Sequence, residues 1–340
     1  MAVVSAPVAA PRVRRRRHPI ALFIARRVTT GLLTLLVVSV LIFIGTSVAP
    51  GDPAGVLLGQ QGTPQAVHQL DRKLGLDKPA AAQYGQWLGG VLHGDFGSSM
   101  VAVAQGATPS SIWVLSRGRI LNTVVLALIT MMLLIPISLI LGVIAAIRAG
   151  RFTDHLISTT TLMLVAVPEF VVGTMLLAVL FAGTHLLPAD SIIPPGHSPL
   201  DDPSLLVLPV LTLLLTSLAW TIRFVRVGTI EVLEAGYVQS ARLNGIREHS
   251  VLSRYALRNA LAPSIQIFAV SFQYLFGGVI VTEVVFSYPG IGSELVNAVL
   301  DHDITEVQTI ALLLGAVYIA INILADLAVV LITPKLRTAL

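Results

Sequence analysis

Six apolar segments, each 18 to 25 residues long, constrain most strongly how this chain can fold. They are Val28–Val48, Thr123–Ile147, Ile157–Phe181, Leu205–Ile222, Ser264–Val285 and Thr309–Ile332. An α-helix needs about 20 apolar residues to cross the hydrocarbon core of a bilayer. Only 12% of the residues are charged, against roughly 25% in soluble domains. The sequence therefore predicts an all-α, polytopic membrane protein with six transmembrane helices.

The first apolar segment follows a basic tail, so it resembles either a signal peptide or an uncleaved first helix. Its apolar run is longer than the roughly 7–15 residues of a signal-peptide core. Pro50 would also directly follow the small residues at which a signal peptide could be cut. We therefore expect an uncleaved transmembrane helix over residues 28–48 after a cytoplasmic tail at 1–27.

The distribution of lysine and arginine predicts the orientation of the helices. Seventeen of the 22 lie before the first segment, after the last, or in the connections 148–156 and 223–263. The short connections 182–204 and 286–308 contain none, and positive charge favours the cytoplasmic side. We expect both termini in the cytoplasm and a long external loop at 49–122. Because the basic residues follow the membrane boundaries, the pI of 9.7 does not indicate nucleic acid as a partner.

The external loop carries a predicted short helix at Gln83–Leu92, with Tyr84, Trp87 and Leu88 on one face. Trp and Tyr prefer the membrane interface, so these side chains could anchor the loop there. The alternative is a docking surface for an external partner.

The connection 223–263 is predicted to form a broken helix. Glu231–Asn244 is helical in pattern, and Asn244–Gly245 is typical of a helix end, because glycine accepts a left-handed conformation. A second helix is predicted from Arg247 to Arg258, ending before Pro263. Val251, Leu252, Tyr255 and Ala256 would form its apolar stripe, with Arg247, Arg254 and Arg258 beside it. Such a helix could lie on anionic lipid headgroups or dock on a soluble partner.

Motifs that would indicate an enzyme are absent from the sequence. There is no G-x-x-x-x-G-K-[ST] loop for nucleotide phosphates, no H-E-x-x-H and no G-x-S-x-G. The chain has no cysteine, which excludes disulfides and thiolate chemistry. An enzyme, including an intramembrane one, is therefore not expected, and no cofactor is expected on this chain.

Three acidic residues fall within or at the ends of the apolar segments: Glu169, Glu283 and Asp326. An ionisable group in hydrocarbon is costly and usually faces protein or water. Glu169 directly follows Pro168 in mid-segment, so it could line a translocation path or repair the proline kink. Glu283 and Asp326 lie nearer the segment ends, where anchoring is expected.

Several segments together resemble the membrane permeases of binding-protein-dependent ABC importers, in particular the B-type permease of the dipeptide, oligopeptide and nickel group. Tyr237–Gly245 and Leu257–Pro263 resemble the cytoplasmic EAA loop of that family. Leu74–Pro79, Gln83–Tyr84, Trp87–Leu88 and Gly94–Gly97 resemble its external loop. Asn122–Ile147, Thr282–Gly292, and Asn322 with Asp326 before Pro334–Arg337 also match. Gln239, Ser240 and Ala241 replace the literal Glu-Ala-Ala, and Thr333 stands where an acid is common.

The resemblance implies a type I ABC importer permease fold with cytoplasmic termini, and a five-helix core at 123–340. It also implies that the basic connection couples to an ATPase through Tyr237, Val238, Ala241, Arg242, Gly245, Arg247, Val251, Leu252, Arg254, Tyr255 and Arg258. Tyr84, Trp87, Asp95 and Phe96 become candidates for external docking, and Glu169 a candidate for the translocation path.

The partners that the resemblance implies are a second homologous permease, two ATPases that use ATP and Mg, an extracytoplasmic binding protein and membrane lipid. The expected location is the cytoplasmic membrane of a bacterium. The implied function is peptide import by alternating access, with nickel or another small ligand as the alternative. A self-contained secondary transporter is a rival from another class, indicated only by Glu169.

Overall fold

The computed structural model of the protein describes residues 19–48, 53–59, 63–107, 111–194 and 196–332. Over these ranges the backbone is predominantly helical, and the extended pairing is an isolated antiparallel bridge between Ser98 and Ser111. The predicted all-α fold is confirmed. The basic residues at both chain ends lie outside the described residues: Arg12, Arg14, Arg15, Arg16, Arg17, Lys335 and Arg337.

Fourteen helices follow one another along the described ranges. They are α1 Pro19–Val48, α2 Pro53–Leu58, α3 Pro64–Leu74, α4 Ala80–Leu92, α5 Met100–Ala104, α6 Ile112–Ile147, α7 Phe152–Ala166, α8 Glu169–Leu177, α9 Ser204–Leu233, α10 Gly236–Leu243, α11 Glu248–Ser250, α12 Arg258–Val285, α13 Ile291–Leu300 and α14 Ile304–Ile332. Two π-helical stretches, Ala178–Gly183 and Val251–Leu257, continue α8 and α11.

Five of these helices, α1, α6, α9, α12 and α14, are long and apolar enough to cross a membrane. The third predicted segment is a pair instead, because α7 and α8 meet at an angle of 101°. Val167 is extended there (φ −94°, ψ 125°), since a residue before proline is disfavoured in the helical region. The expectation of one continuous helix at Ile157–Phe181 was therefore wrong, and the chain has six spans only if the bent pair counts as one.

The helix α6 begins at Ile112, eleven residues before the predicted start of its apolar segment at Thr123. The predicted boundary between external loop and core, after residue 122, thus lies inside a helix. Pro136 lies within α6 without ending it. Membrane helices tolerate such prolines when neighbouring groups compensate for the lost backbone hydrogen bond.

The centre of the fold is the packing of α9 against α6 and α12. Leu126, Leu213, Leu275 and Val279 form part of one buried apolar cluster there. Gly142 lets α6 approach α9 closely, because a Cβ at this position would lie 2.7 Å from the side chain of Val225.

The outer face of α1 lies at the periphery, and the helix packs against α14. An ion pair between Arg27 and Asp326, 3.1 Å apart, joins the two helices. The side chains that α1 leaves exposed along its middle are aliphatic: Leu32, Leu33, Leu36, Val37, Val40, Leu41 and Ile44. This is the surface expected of a helix that faces lipid.

The connection between α12 and α14 is built around Glu283, which is fully buried. Its carboxylate accepts hydrogen bonds from Thr123 Oγ1 (2.5 Å) and from the backbone N–H groups of Gly292 (2.8 Å) and Ser293 (3.0 Å). The last two belong to the first turn of α13, whose N-terminal N–H groups need an acceptor. Glu283 thus ties α6, α12 and α13 together, a more central role than the anchoring that its position in the sequence predicted.

Candidate functional site

The predicted coupling segment, residues 234–258 of the connection 223–263, begins with a sharp break after α9. Ala235 is extended (φ −62°, ψ 141°) and its carbonyl accepts the first hydrogen bonds of α10, from Val238 and Gln239. The predicted continuous helix Glu231–Asn244 was therefore wrong, because the chain changes direction between α9 and α10. The predicted helix end at Asn244–Gly245 is confirmed, with Gly245 left-handed at φ +75°.

The second half of the segment runs without interruption into a membrane helix. Arg247 is extended (φ −56°, ψ 134°), and α11, the π-helical stretch and α12 then follow one another from Glu248 to Val285. The predicted helix end before Pro263 was wrong, since the helix continues through that position. A displacement of the segment would consequently move α12 directly.

Three residues predicted to couple to an ATPase form a small core inside the segment itself. Val238, Ala241 and Val251 are buried against one another, with Ile246 packed beside them. The structure places them in the interior of the segment and away from its surface. They hold α10 against the start of the π-helical stretch, and their role in coupling stays a prediction.

The exposed face of the segment comprises Tyr237, Arg242, Gly245, Arg247, Arg254 and Tyr255, while Leu252 is half-buried. The side chain of Arg258 lies outside the described residues. Leu243 was missed by the sequence reasoning, although 88% of its surface is exposed at the tip of α10. Its place directly before the Asn244–Gly245 turn is the signal that could have identified it. The exposed face of the segment therefore has an apolar tip at Leu243, together with basic residues.

An ion pair bridges the turn on this face. Arg242 Nε and one terminal nitrogen donate hydrogen bonds to the two carboxylate oxygens of Glu248, at 3.2 and 2.8 Å. The hydrogen bond from Arg242 lowers the pKa of Glu248, and the same bond raises the pKa of Arg242. Both side chains are exposed, so the pair adds little stability and mainly sets the geometry of the turn.

A more strongly held ion pair lies close to the segment, between α7 and α9. Arg226 donates to both carboxylate oxygens of Asp154, at 2.6 and 2.7 Å, and Asp154 is buried. The N–H of Gly150 also donates to Asp154 at 2.9 Å. Bidentate pairs of this kind are geometrically specific. The end of α9 that leads into the coupling segment is therefore fixed to the start of α7.

The path candidate Glu169 is the first residue of α8, at the bend. Its carboxylate accepts a hydrogen bond from Thr282 Oγ1 at 2.6 Å and packs over Gly278, where any Cβ would collide with it. Both contacts are on α12. Glu169 therefore joins the broken helix to α12, and its role as a path residue stays a prediction.

The four external docking candidates lie on two neighbouring surfaces. The hydroxyl groups of Tyr84 and Ser39 form a hydrogen bond of 2.9 Å, and the ring of Tyr84 packs on Phe43 of α1. Trp87 Nε1 donates a hydrogen bond to Thr309 Oγ1 of α14 at 3.4 Å. Phe96 stacks on Trp113, while Asp95 is exposed and accepts from the N–H of Gly97. Tyr84 and Trp87 thus fix the external loop to the helices, and docking at Asp95 and Phe96 stays a prediction.

Two sequence comparisons describe the family of the chain. Residues 138–338 match "Binding-protein-dependent transport system inner membrane component". Residues 20–110 match "Binding-prot-dependent transport system membrane comp, N-term". The first match includes the coupling segment, and the second includes α1 and the helices of the external loop. In the described residues, no group of three or more His, Asp or Glu is arranged to hold a metal ion.

Relatives that align over nearly their whole length have 30–33% of their aligned residues identical to this chain. The "Probable peptide ABC transporter permease protein y4tP" of Sinorhizobium fredii is 33% identical over 320 residues, which cover 93% of this chain and 99% of the relative. The "Oligopeptide transport system permease protein AppB" of Bacillus subtilis is 30% identical, covering 93% and 99%. The "Metal-staphylopine import system permease protein CntB" of Staphylococcus aureus is 30% identical, covering 93% and 98%.

The helical fold and the two family matches agree. The chain is a multi-pass subunit of the cytoplasmic membrane and not itself an enzyme, since in this family ATP is hydrolysed by separate ATPase subunits and a binding protein delivers the substrate. The chain belongs to the family of inner membrane components of binding-protein-dependent transport systems, as an ABC importer permease.

Proposed function

We propose that this chain is one of two homologous permeases in an importer of short peptides. The second permease, two ATPases and an extracytoplasmic binding protein complete the assembly, and ATP and Mg are used by the ATPases. The observation that carries the proposal is the coupling segment, which has its own core, an exposed apolar and basic face, and a continuous helical connection to α12. The peptide substrate is supported by the names of the relatives from Sinorhizobium fredii and Bacillus subtilis.

The geometry supports alternating access driven from the cytoplasmic side. Closure of the ATPases on ATP would displace the exposed face around Leu243 and Arg254. Because Glu248–Val285 is helical throughout, that displacement would reorient α12 and, through Thr282, the bend at Glu169. We propose that the path opens outward when ATP is bound and inward after hydrolysis.

Reconstitution of the assembled transporter in liposomes tests the proposal. The permeases, ATPases and binding protein together should take up a radiolabelled tripeptide in the presence of ATP and Mg. Liposomes with this chain alone should neither hydrolyse ATP nor accumulate peptide, because the chain contains no phosphate-binding loop. ATP-independent uptake by the chain alone would instead indicate a secondary transporter.

A nickel importer is the weaker alternative. Uptake of ⁶³Ni without peptide uptake in the same liposomes would establish it and reject the peptide assignment. The relatives named for peptides do not favour it.

The proposed orientation, with both termini in the cytoplasm, gives a separate prediction. The chain contains no cysteine, so single cysteines can be labelled without background. Ser198→Cys and Asn297→Cys, both exposed in the connections that lack basic residues, should react with a membrane-impermeant maleimide added to intact cells. Ser253→Cys, exposed in the coupling segment, should react only after the membrane is opened. The reverse pattern would reject the orientation.

A further inference from the structure

A groove lies between α9 and α12. It has a volume of about 390 Å³, within the range of roughly 300–1,000 Å³ that small-molecule pockets occupy. On α9 it is lined mainly by Trp220, Phe224 and Glu231, and on α12 by Gln266, Ser271 and Tyr274. A second opening beside it is lined by Trp220, Phe224 and Arg223.

The lining of this groove is unlike a surface that faces lipid. The exposed face of α1 is aliphatic throughout its middle, whereas the groove mixes aromatic rings with hydroxyl, amide and carboxylate groups. Polar and ionisable groups exposed to hydrocarbon are costly, so they face protein or water. The groove therefore does not face the hydrocarbon core of the membrane.

Several polar groups in the groove are unused. Thr221 and Ser271 form a hydrogen bond with each other across its floor at 2.9 Å. In contrast, the side chains of Gln266, Tyr274 and Glu231 have no hydrogen-bond or ion-pair partner among the described residues. Buried or membrane-embedded polar groups normally have partners. These groups are thus available to a ligand.

The aromatic rings form an apolar wall beside these polar groups. Trp220 and Phe224 are stacked, with ring centroids 5.1 Å apart, and Tyr274 faces Trp220 from the other helix at 6.1 Å. All three are about half exposed. Rings arranged in this way offer a large apolar contact surface to a further side chain.

The groove and Glu169 lie against the same face of α12. Ser271, Tyr274, Gly278 and Thr282 follow one another at intervals of three or four residues, so they share one face of α12. The last two both contact Glu169. One face of α12 therefore carries the groove at one end and the Glu169 contact at the other.

We propose that this groove binds the translocated peptide, with an apolar or aromatic side chain of the peptide packed on Trp220, Phe224 and Tyr274. Gln266 and Tyr274 would bind the peptide backbone, and Glu231 and Arg223 would receive its charged ends. The inference rests on the proposed peptide import and adds a substrate site on this subunit. An aromatic wall with a few polar groups is typical of a ligand pocket. The charged Glu231 and Arg223 argue against a packed contact with a second permease, because the cores of subunit interfaces are depleted in charged residues.

Uptake by the reconstituted transporter tests the site with two peptides, Ala-Ala-Ala and Ala-Phe-Ala, each presented on saturating amounts of loaded binding protein. Trp220→Ala and Tyr274→Ala should lower the maximal uptake of Ala-Phe-Ala roughly three- to tenfold more than that of Ala-Ala-Ala, because aromatic contacts are lost. Tyr274→Phe should restore the preference, since it keeps the ring. Tyr318→Ala, which removes a similarly exposed tyrosine on α14, is the matched control and should change neither peptide.

Crosslinking supplies an independent readout. The probe is the tripeptide Ala-X-Ala, in which X is the photoreactive residue benzoylphenylalanine. After photolysis in the assembled transporter, it should be attached to residues 217–231 or 266–274 of this chain. Equal losses for both peptides, together with labelling elsewhere, would overturn the inference while leaving peptide import intact. Loss of the second permease from purified Trp220→Ala complexes would overturn it too, and assign the groove to the contact between permeases. A wild-type transporter that takes up no peptide at all would remove both the proposed function and the inference.

Discussion

Replacing Ala241 by aspartate should abolish ATP-driven uptake while leaving the chain inserted in the membrane. Ala241 is 5% exposed and packs against Val238, Val251 and Ile246. An aspartate there would bury a charge without a partner, at a cost of about 3–5 kcal/mol. Because Val238, Val251 and Ile246 are the apolar partners of Ala241, α10 should separate from the π-helical stretch. Complexes should then lose ATPase subunits on purification, and uptake should fall at least tenfold.

Ser240→Asp is the matched control for this prediction. Ser240 precedes Ala241 on the same helix, but its side chain is exposed. The same charge at that position stays hydrated and should leave assembly and uptake within about twofold of wild type, as surface substitutions usually do. If Ala241→Asp and Ser240→Asp behave alike, the core of the segment does not determine coupling.

Five of the six spans could be predicted from sequence because hydrophobic length alone decides them. The bend between α7 and α8 could not, since the apolar run continues through it. Pro136 and Pro209 lie within helices, whereas Pro168 marks a break, so proline itself does not distinguish the cases. An acidic residue directly after a proline is typical of a helix start, and Glu169 was the available signal.

The turn within the predicted coupling segment was located correctly in the sequence, but its buried and exposed residues were not distinguished. Val238, Ala241 and Val251 were grouped with Arg242 and its neighbours, because a periodic pattern shows which residues share a face and not what covers that face. Only the turn at Gly245 brings the two halves together and buries the three small apolar side chains. The same limit applies to the groove, which exists only because α9 and α12 are neighbours in space.

The external connection should depend just as strongly on Glu283. Glu283→Ala would leave three donors in a buried site without an acceptor: the Thr123 hydroxyl and the N–H groups of Gly292 and Ser293. Each unsatisfied buried group costs about 1–3 kcal/mol, and the lost side-chain volume adds a cavity. Gly290 and Gly292 bring their backbone close to this carboxylate, since a Cβ at either position would collide with it. We expect an unstable chain with greatly reduced amounts in the membrane.

Glu283→Gln separates the geometry of the site from its charge. The glutamine oxygen can accept from Gly292 and Ser293, while its NH₂ group donates to Thr123 Oγ1, which already accepts from the N–H of Ile291. Glu283→Gln should therefore keep most of the stability that Glu283→Ala loses, as measured by thermal unfolding in detergent. Asp301→Ala, at an exposed position of the same connection, should unfold like wild type. If Glu283→Gln is as unstable as Glu283→Ala, the negative charge at the start of α13 holds the connection. If Glu283→Ala unfolds like wild type, Glu283 is not the group that ties α6, α12 and α13 together.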